Sequence, residues 1–230
     1  MTNKLVPEEI QTPLGVEHFN IHSHLKRVLD GLQLTEESLI DKKIFEIGSG
    51  QAYLAEEARK KGIDIVSFDF VYGTPNGRKI FQEYSHSKKE YVLIEDPNAI
   101  GGVAENLPFA NESFDFVLAY SSVPKYSSTK EQAEAAIDEM VRITKPNGEA
   151  RIFPFLIEPN LYSGIKQDKG YISERSAYAR FDETTNDTDI DDLLNKDEKT
   201  IIQKLKRNPN LIVLLERSKS VPLLIIKKNG

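Results

Sequence analysis

Apolar and polar positions change period several times along this chain. Lys43-Ile44-Phe45-Glu46-Ile47 is a short apolar run that stops at Gly48-Ser49-Gly50. Beyond it Tyr53, Leu54 and Ala58 fall at helical spacing, and the stretch closes at Lys60-Lys61-Gly62. This predicts a strand, a glycine turn and a helix with Gly62 at its C-terminal cap. Ile63 to Phe70 reads as a second strand, Thr74 to Gly77 as a turn and Arg78 to Tyr84 as a helix. Ala99 to Ala104 suits a short third strand, and Phe114 to Tyr120 is a clear fourth. Ser128-x-x-Glu131 matches a capping box. It opens a helix that repeats Ala133, Ile137, Met140, Val141 and Thr144 on one face. Lys145-Pro146-Asn147-Gly148 ends that helix in a turn, and Glu149 to Phe155 follows as the fifth strand. Alternating strands and helices predict a parallel α/β sheet.

Two regions depart from the alternation. At the C-terminus, Leu211 to Glu216 and Pro222 to Lys228 are apolar strands separated by Arg217 to Val221. That gap is too short for a crossover helix, so the pair is expected to be antiparallel. At the other end, Val16 to Leu32 reads as an amphipathic helix, and residues 1–38 are assigned as an N-terminal helical cap on a single domain spanning 1–230.

Composition narrows the classes. The 230 residues are 39% hydrophobic and 29% charged, enough for one sizeable core. There is no cysteine, which excludes disulfides, thiolate metal sites and cysteine nucleophiles. No stretch approaches the ~18 apolar residues of a membrane span, and the first fifteen residues lack the apolar core of a secretory signal. A cytoplasmic protein is the expectation. The net charge of −6 and the scattered basic residues disfavour nucleic acid; Lys204, Lys206 and Arg207 read as the solvated face of a helix.

Glu46-Ile-Gly48-Ser-Gly50-Gln-Ala52 sits on the strand-to-helix turn. Glycines there let the backbone approach a ligand, and the following helix start offers unpaired N–H groups. About 20 residues later Asp69 stands at the end of the second strand, where a carboxylate can accept from ribose hydroxyls. A dinucleotide fingerprint would need glycine at position 53, and this chain has Tyr53.

The segment Phe45-Glu46-Ile47-Gly48-Ser49-Gly50 resembles the first motif of class I S-adenosylmethionine-dependent methyltransferases. Ala104-Glu105-Asn106-Leu107-Pro108-Phe109, followed by Ser113 to Val117, resembles that family's approach to its fourth strand. Glu139-x-x-Arg142-Ile-Thr-Lys145-Pro146-Asn147-Gly148 resembles its helix and turn before the fifth. The match covers roughly residues 40–155. It implies an α/β, Rossmann-like, seven-stranded, mainly parallel sheet with an antiparallel last strand and helices on both faces. It also implies S-adenosylmethionine as cofactor and methyl transfer, most simply to a small molecule.

Carried over residue by residue, the resemblance makes Glu46 a cofactor-binding residue and puts Gly48, Ser49 and Gly50 at the methionine end of the cofactor and Asp69 on the ribose. Phe70 falls beside adenine, Ala104 and Glu105 at its edge, and Tyr120 near the methyl donor. Two positions depart from the family pattern. Ala52 stands where a third glycine is common, as its mildest replacement. Val103 replaces an aspartate, so adenine is expected to rest on apolar packing and backbone groups.

No catalytic base is singled out. Tyr120, His18 and His22 are candidates, with His24 and Tyr126 as further orienting groups. His18 and His22 share a helix face, but no third ligand stands at metal-site spacing, so no metal is expected. Asp187 to Glu198 places acids as in a calcium loop, but Asp192 occupies the glycine position. Asp189 or Asp191 is instead expected to cap a helix running to Leu205. Residues 156–190 read as an insertion, of which 156–185 are expected to form part of the acceptor pocket or a lid over it, with Tyr162, Tyr171, Arg175 and Tyr178 as contacts; the alternative is a structural insertion that pads the sheet edge. Two other readings stay open at this point: a degenerate fold serving as a cofactor-binding or interaction module, and an NAD-dependent oxidoreductase. Tyr53 and the antiparallel C-terminal pair stand against the latter.

Overall fold

The structure, a computed structural model, describes residues 11–12, 15–16, 24–50, 52–73, 98–157, 189–218 and 221–230. A short antiparallel pair, β1 (Gln11–Thr12) and β2 (Gly15–Val16), precedes α1 (His24–Leu32), α2 (Glu36–Leu39), β3 (Ile44–Ile47), α3 (Tyr53–Arg59) and β4 (Ile65–Asp69). A 3₁₀ turn (Phe70–Gly73) then leads toward β5 (Ala99–Gly101), β6 (Phe114–Tyr120), α4 (Lys130–Ile143) and β7 (Thr144–Phe153). The chain closes with α5 (Ile190–Leu193), α6 (Lys196–Lys206), β8 (Leu211–Ser218) and β9 (Val221–Lys228).

Seven strands form one sheet in the order β5-β4-β3-β6-β7-β9-β8. β3 pairs parallel with both β4 and β6, while β9 is antiparallel to β7 and β8. The last strand is therefore the only one of the seven to run against the rest, as the chain pattern and the family resemblance led one to expect. The order reverses beside β3: its own crossover leads to β4, and the later one returns to β6 on the other side. In open α/β sheets this reversal opens a crevice at the carboxyl ends of the strands.

The apolar runs are near-continuous because both sheet faces are covered. Neighbouring residues split between the faces. Ile44, Leu118, Phe153 and Ile225 pack with α1, α2 and α3 through Leu25, Val28, Leu39, Leu54 and Ala58. Phe45, Val117, Ile152 and Leu224 pack with α4 and α6 through Ile137, Met140, Ile201 and Leu205. Phe45 anchors an aromatic cluster with Phe68, Phe109 and Phe114, ring centroids 5.0–5.6 Å apart.

Several boundaries differ from expectation. The described N-terminal helix covers His24–Leu32, residues 17–23 lie outside the described residues, and Val16 is a strand residue paired with Gln11. β4 ends at Asp69 and β5 at Gly101. The capping box lies one residue later, at Thr129 and Gln132; Gln132 Oε1 also accepts from the Ser128 N–H at 3.0 Å. α4 passes straight into β7, and the Lys145–Gly148 stretch is absorbed as an irregularity between the pairs Phe114–Thr144 and Phe116–Glu149.

The helix expected from Asp189 or Asp191 to Leu205 is broken in two. Asp189 caps α5, Asn195 caps α6, and Leu194 is extended between them. Glu198, the last acid of the calcium-loop pattern, is fully buried. Its carboxylate accepts from the Asn195 and Ile157 N–H groups, which is a structural duty. Leu156 and Ile157, the first residues of the segment expected as an insertion, are buried in the core. The expected turn and helix over 74–84, and the lid contacts Tyr162, Tyr171, Arg175 and Tyr178, lie outside the described residues. Lys204 reaches Asp138 at 2.7 Å and Glu134 at 3.6 Å on a solvated helix face.

Candidate active site

The glycine turn after β3 is held open by backbone geometry. Gly48 and Gly50 have φ of +70° and +54°. Alanine also occupies this left-handed region at Ala52, with φ +57°, while only 3% exposed. A β-carbon there costs about 1–2 kcal/mol relative to glycine. This is the physical sense of the missing third glycine: the conformation is kept and the strain accepted. A Cβ built on Gly48 would fall 2.3 Å from Ser122 Cβ, whereas one on Gly50 would meet nothing within 4 Å. The turn is thus backed by the β6 loop, through Ser122 Oγ donating to the Ile47 carbonyl at 2.7 Å, and is open at Gly50.

Four N–H groups of this turn are engaged within the protein. Gly48 and Ser49 both donate to the Phe68 carbonyl, at 2.7 and 3.0 Å, and Ala52 donates to the Ser49 carbonyl at 2.9 Å. Gly50 N–H donates to Asp69 Oδ2 at 3.0 Å. A phosphate cradle needs such donors facing the ligand. Here the N–H groups of Gly48, Ser49, Gly50 and Ala52 face protein acceptors instead.

Tyr72, from the 3₁₀ turn after β4, was not marked by any motif. Its hydroxyl donates to the Gly50 carbonyl at 2.6 Å and lies 3.1 Å from Ser49 Oγ. Asp69 and Tyr72 therefore hold the Gly50 peptide from both ends. Their own turn rests on β5: a Cβ on Gly101 would lie 2.2 Å from the Gly73 nitrogen.

The same carboxyl edge carries exposed apolar side chains. Among the described residues, the large exposed hydrophobics include Tyr53 after β3, Phe70 after β4, Val103 after β5 and Tyr126 after β6. Phe70 is 65% exposed and Val103 54%. Exposed apolar groups gathered at successive strand ends mark a ligand surface. Ala104 and Glu105 lie half-buried in the turn beyond Val103. Glu139 and Arg142 of α4 organise that loop. Glu139 accepts from the Leu107 N–H at 2.7 Å, and Arg142 donates to the carbonyls of Leu107 and Phe109. The hydrogen bond from Arg142 holds the Glu139 carboxyl below its ordinary pKa.

Glu46 is buried in β3, two residues before the turn. The Tyr120 ring stacks on Phe153 at 5.6 Å and fills the space over Gly31, where a Cβ would come within 2.6 Å of it. Its ring thus wedges α1 against the sheet. Lys125, in the β6 loop, is 1% exposed, with its ammonium 5.1 Å from the centroid of the Tyr126 ring. His18 and His22 lie outside the described residues, among which no cluster of three potential metal ligands forms. His24 contacts Tyr53 edge-on at 5.8 Å, and its Nδ1 lies 2.8 Å from Arg27 Nη2. Burial, then the Arg27 charge, lowers its pKa.

Comparison with known proteins agrees with this geometry. Residues 45–152 match the family model described as a methyltransferase domain, close to the span resembling that family in sequence. A demethylmenaquinone methyltransferase of Paenarthrobacter aurescens is 28% identical over 116 residues, 50% of this chain and 40% of the relative. The biotin biosynthesis bifunctional protein BioHC of Cellvibrio japonicus is 27% identical over 113 residues, 48% of this chain and 19% of that protein. The chain thus spans less than half the length of these relatives. The solved structure of protein PH0226 from Pyrococcus horikoshii shares the fold with a TM-score of 0.51 at 16% identity, covering 92% of this chain and 94% of that one. No helix among the described residues is long and apolar enough to cross a membrane.

Proposed function

We propose that the chain is a class I S-adenosylmethionine-dependent methyltransferase, a reading supported by the match of residues 45–152 to the methyltransferase-domain model, and that it methylates a small-molecule acceptor at the carboxyl edge of β3, β4, β5 and β6. The observation that carries this reading is the character of the glycine turn. It is open at Gly50, the N–H groups of Gly48, Ser49, Gly50 and Ala52 are engaged within the protein, and Asp69, the residue assigned to the ribose, accepts from Gly50. Such a site suits a nucleoside carrying an amino-acid tail better than a dinucleotide pyrophosphate.

When bound, the cofactor supplies a methyl group already activated by its sulfonium. The chain's own work is positional. Asp69 anchors Gly50 and accepts the ribose hydroxyls. Phe70 and Val103 offer apolar walls to the adenine, with Ala104 and Glu105 at its edge. Gly48, Ser49 and Gly50 admit the methionine end, above the buried Glu46. Tyr120 braces the roof near the reacting methyl through its packing on Gly31 and Phe153. Holding an acceptor nucleophile in line with the methyl group then supplies much of the rate.

The test pairs binding with turnover. S-Adenosylhomocysteine titrated calorimetrically should bind one to one, and a panel of small phenols, amines and carboxylic acids should include an acceptor that releases it from S-adenosylmethionine. Absence of binding would overturn the cofactor reading. Transfer to protein substrates alone would overturn the small-molecule part.

A further inference from the structure

We propose that Tyr72 is a positioning residue that fixes the polarity of the Ser49 hydroxyl, making Ser49 Oγ an acceptor for the α-ammonium group of the cofactor's amino-acid tail. This deepens the S-adenosylmethionine reading and rests on it.

The argument is a count of hydrogens. A tyrosine hydroxyl has one hydrogen to donate, a serine hydroxyl also has one, and a carbonyl has none. Tyr72 Oη is 2.6 Å from the Gly50 carbonyl, so its hydrogen goes there. The 3.1 Å contact between Ser49 Oγ and Tyr72 Oη then needs a hydrogen from Ser49. Ser49 thus turns its only hydrogen to Tyr72, and toward any other group it presents lone pairs. The backbone reinforces this bias, because the N–H groups of Gly48, Ser49, Gly50 and Ala52 are all engaged within the protein. A turn built this way recognises a donor. At the end of the cofactor assigned to it, the donor is the α-ammonium, and the α-carboxylate has to be met elsewhere.

Removing the Tyr72 hydroxyl frees the Ser49 hydrogen to rotate and releases the Gly50 carbonyl. The ammonium then loses its pre-set partner, while the ribose and adenine contacts remain. The effect should therefore depend on whether the ligand carries an ammonium.

The experiment measures affinity of the full chain, and of its Tyr72→Phe, Ser49→Ala and double variants, for S-adenosylhomocysteine and for 5′-methylthioadenosine, which lacks the amino-acid tail. Thermal melts confirm folding of each protein. Tyr72→Phe is expected to weaken S-adenosylhomocysteine roughly 13- to 160-fold, the range of a hydrogen bond to a charged group. It should leave methylthioadenosine within about 2-fold. The double variant should be no worse than Ser49→Ala, because Tyr72 acts through Ser49. Equal weakening of both ligands, or of neither, would overturn the assignment while leaving the cofactor reading in place. Failure of the wild-type chain to bind S-adenosylhomocysteine would overturn both.

Discussion

Replacing Gly101 by alanine tests how the site is assembled. A Cβ at this position would lie 2.2 Å from the Gly73 nitrogen, 2.5 Å from Gly73 Cα and 2.7 Å from the Tyr72 carbonyl carbon. All three are backbone atoms, so no rotamer relieves the overlap. The end of β5 and the 3₁₀ turn must move apart by about an ångström. Overpacking of this kind typically costs about 1–3 kcal/mol, and the backbone contacts place this case at the upper end. For a chain of this size that corresponds to a fall in Tm of roughly 6–12 °C. Because the displaced turn carries Phe70 and Tyr72, S-adenosylhomocysteine should also bind less tightly. The control is Gly62→Ala, where φ is +76° but nothing lies within 4 Å of the new methyl. Only the left-handed strain of about 1–2 kcal/mol applies there, and ligand affinity should not change. Differential scanning calorimetry and ligand titration on both variants read the two effects. A Gly101→Ala protein with wild-type Tm and affinity would refute the reasoning, as would equal loss of affinity in Gly62→Ala.

Further outcomes follow from the charges. Glu139→Gln should cost about 1.5–3 kcal/mol at neutral pH, the range for hydrogen bonds to a charged group, measured by urea unfolding. The folded-state pKa of Glu139 is depressed below its ordinary 4.5 by Arg142. Its contribution is therefore full above pH about 4.5 and lost as the pH falls through the lower folded value; a gap between wild type and variant that persists into strong acid would contradict this. For His24, the Arg27 guanidinium can only donate, so Nδ1 accepts and the neutral ring carries its proton on Nε2. Imidazole ¹⁵N shifts should show that tautomer at pH 7, and an imidazolium there would contradict the burial argument.

The sequence made the core strands legible because β3, β6 and β9 are largely buried and read as mainly apolar runs. The position of Asp69 one crossover after the glycine turn was equally plain. Element ends were less so. Ser128-x-x-Glu131 and Thr129-x-x-Gln132 both satisfy a capping box, and the phase that buries Ala133, Ala136, Ile137 and Met140 selects the second. Glu198 looked like a calcium ligand because spacing does not reveal burial, and its fate depends on Ile157, 41 residues away. Tyr72, Gly101 and Lys125 carry no motif at all. Their roles come from contacts between loops that meet only once the sheet is assembled. The reverse holds for Tyr120, whose place at a strand end suggested chemistry but whose ring is engaged in packing.

The most direct measurement is a calorimetric titration of S-adenosylhomocysteine, with NAD in parallel, into the wild-type chain and Asp69→Ala. One-to-one binding of S-adenosylhomocysteine and none of NAD is expected, because Tyr53 stands where a dinucleotide fingerprint needs glycine and the N–H groups of Gly48, Ser49, Gly50 and Ala52 are engaged within the protein. Loss of the Asp69 carboxylate removes both the proposed ribose acceptor and the anchor of the Gly50 N–H at 3.0 Å. The affinity should fall by about 1.5–3 kcal/mol, the range for a charge-assisted hydrogen bond, with the variant still folded. Tight binding of NAD, or unchanged S-adenosylhomocysteine affinity in folded Asp69→Ala, would contradict the assigned site.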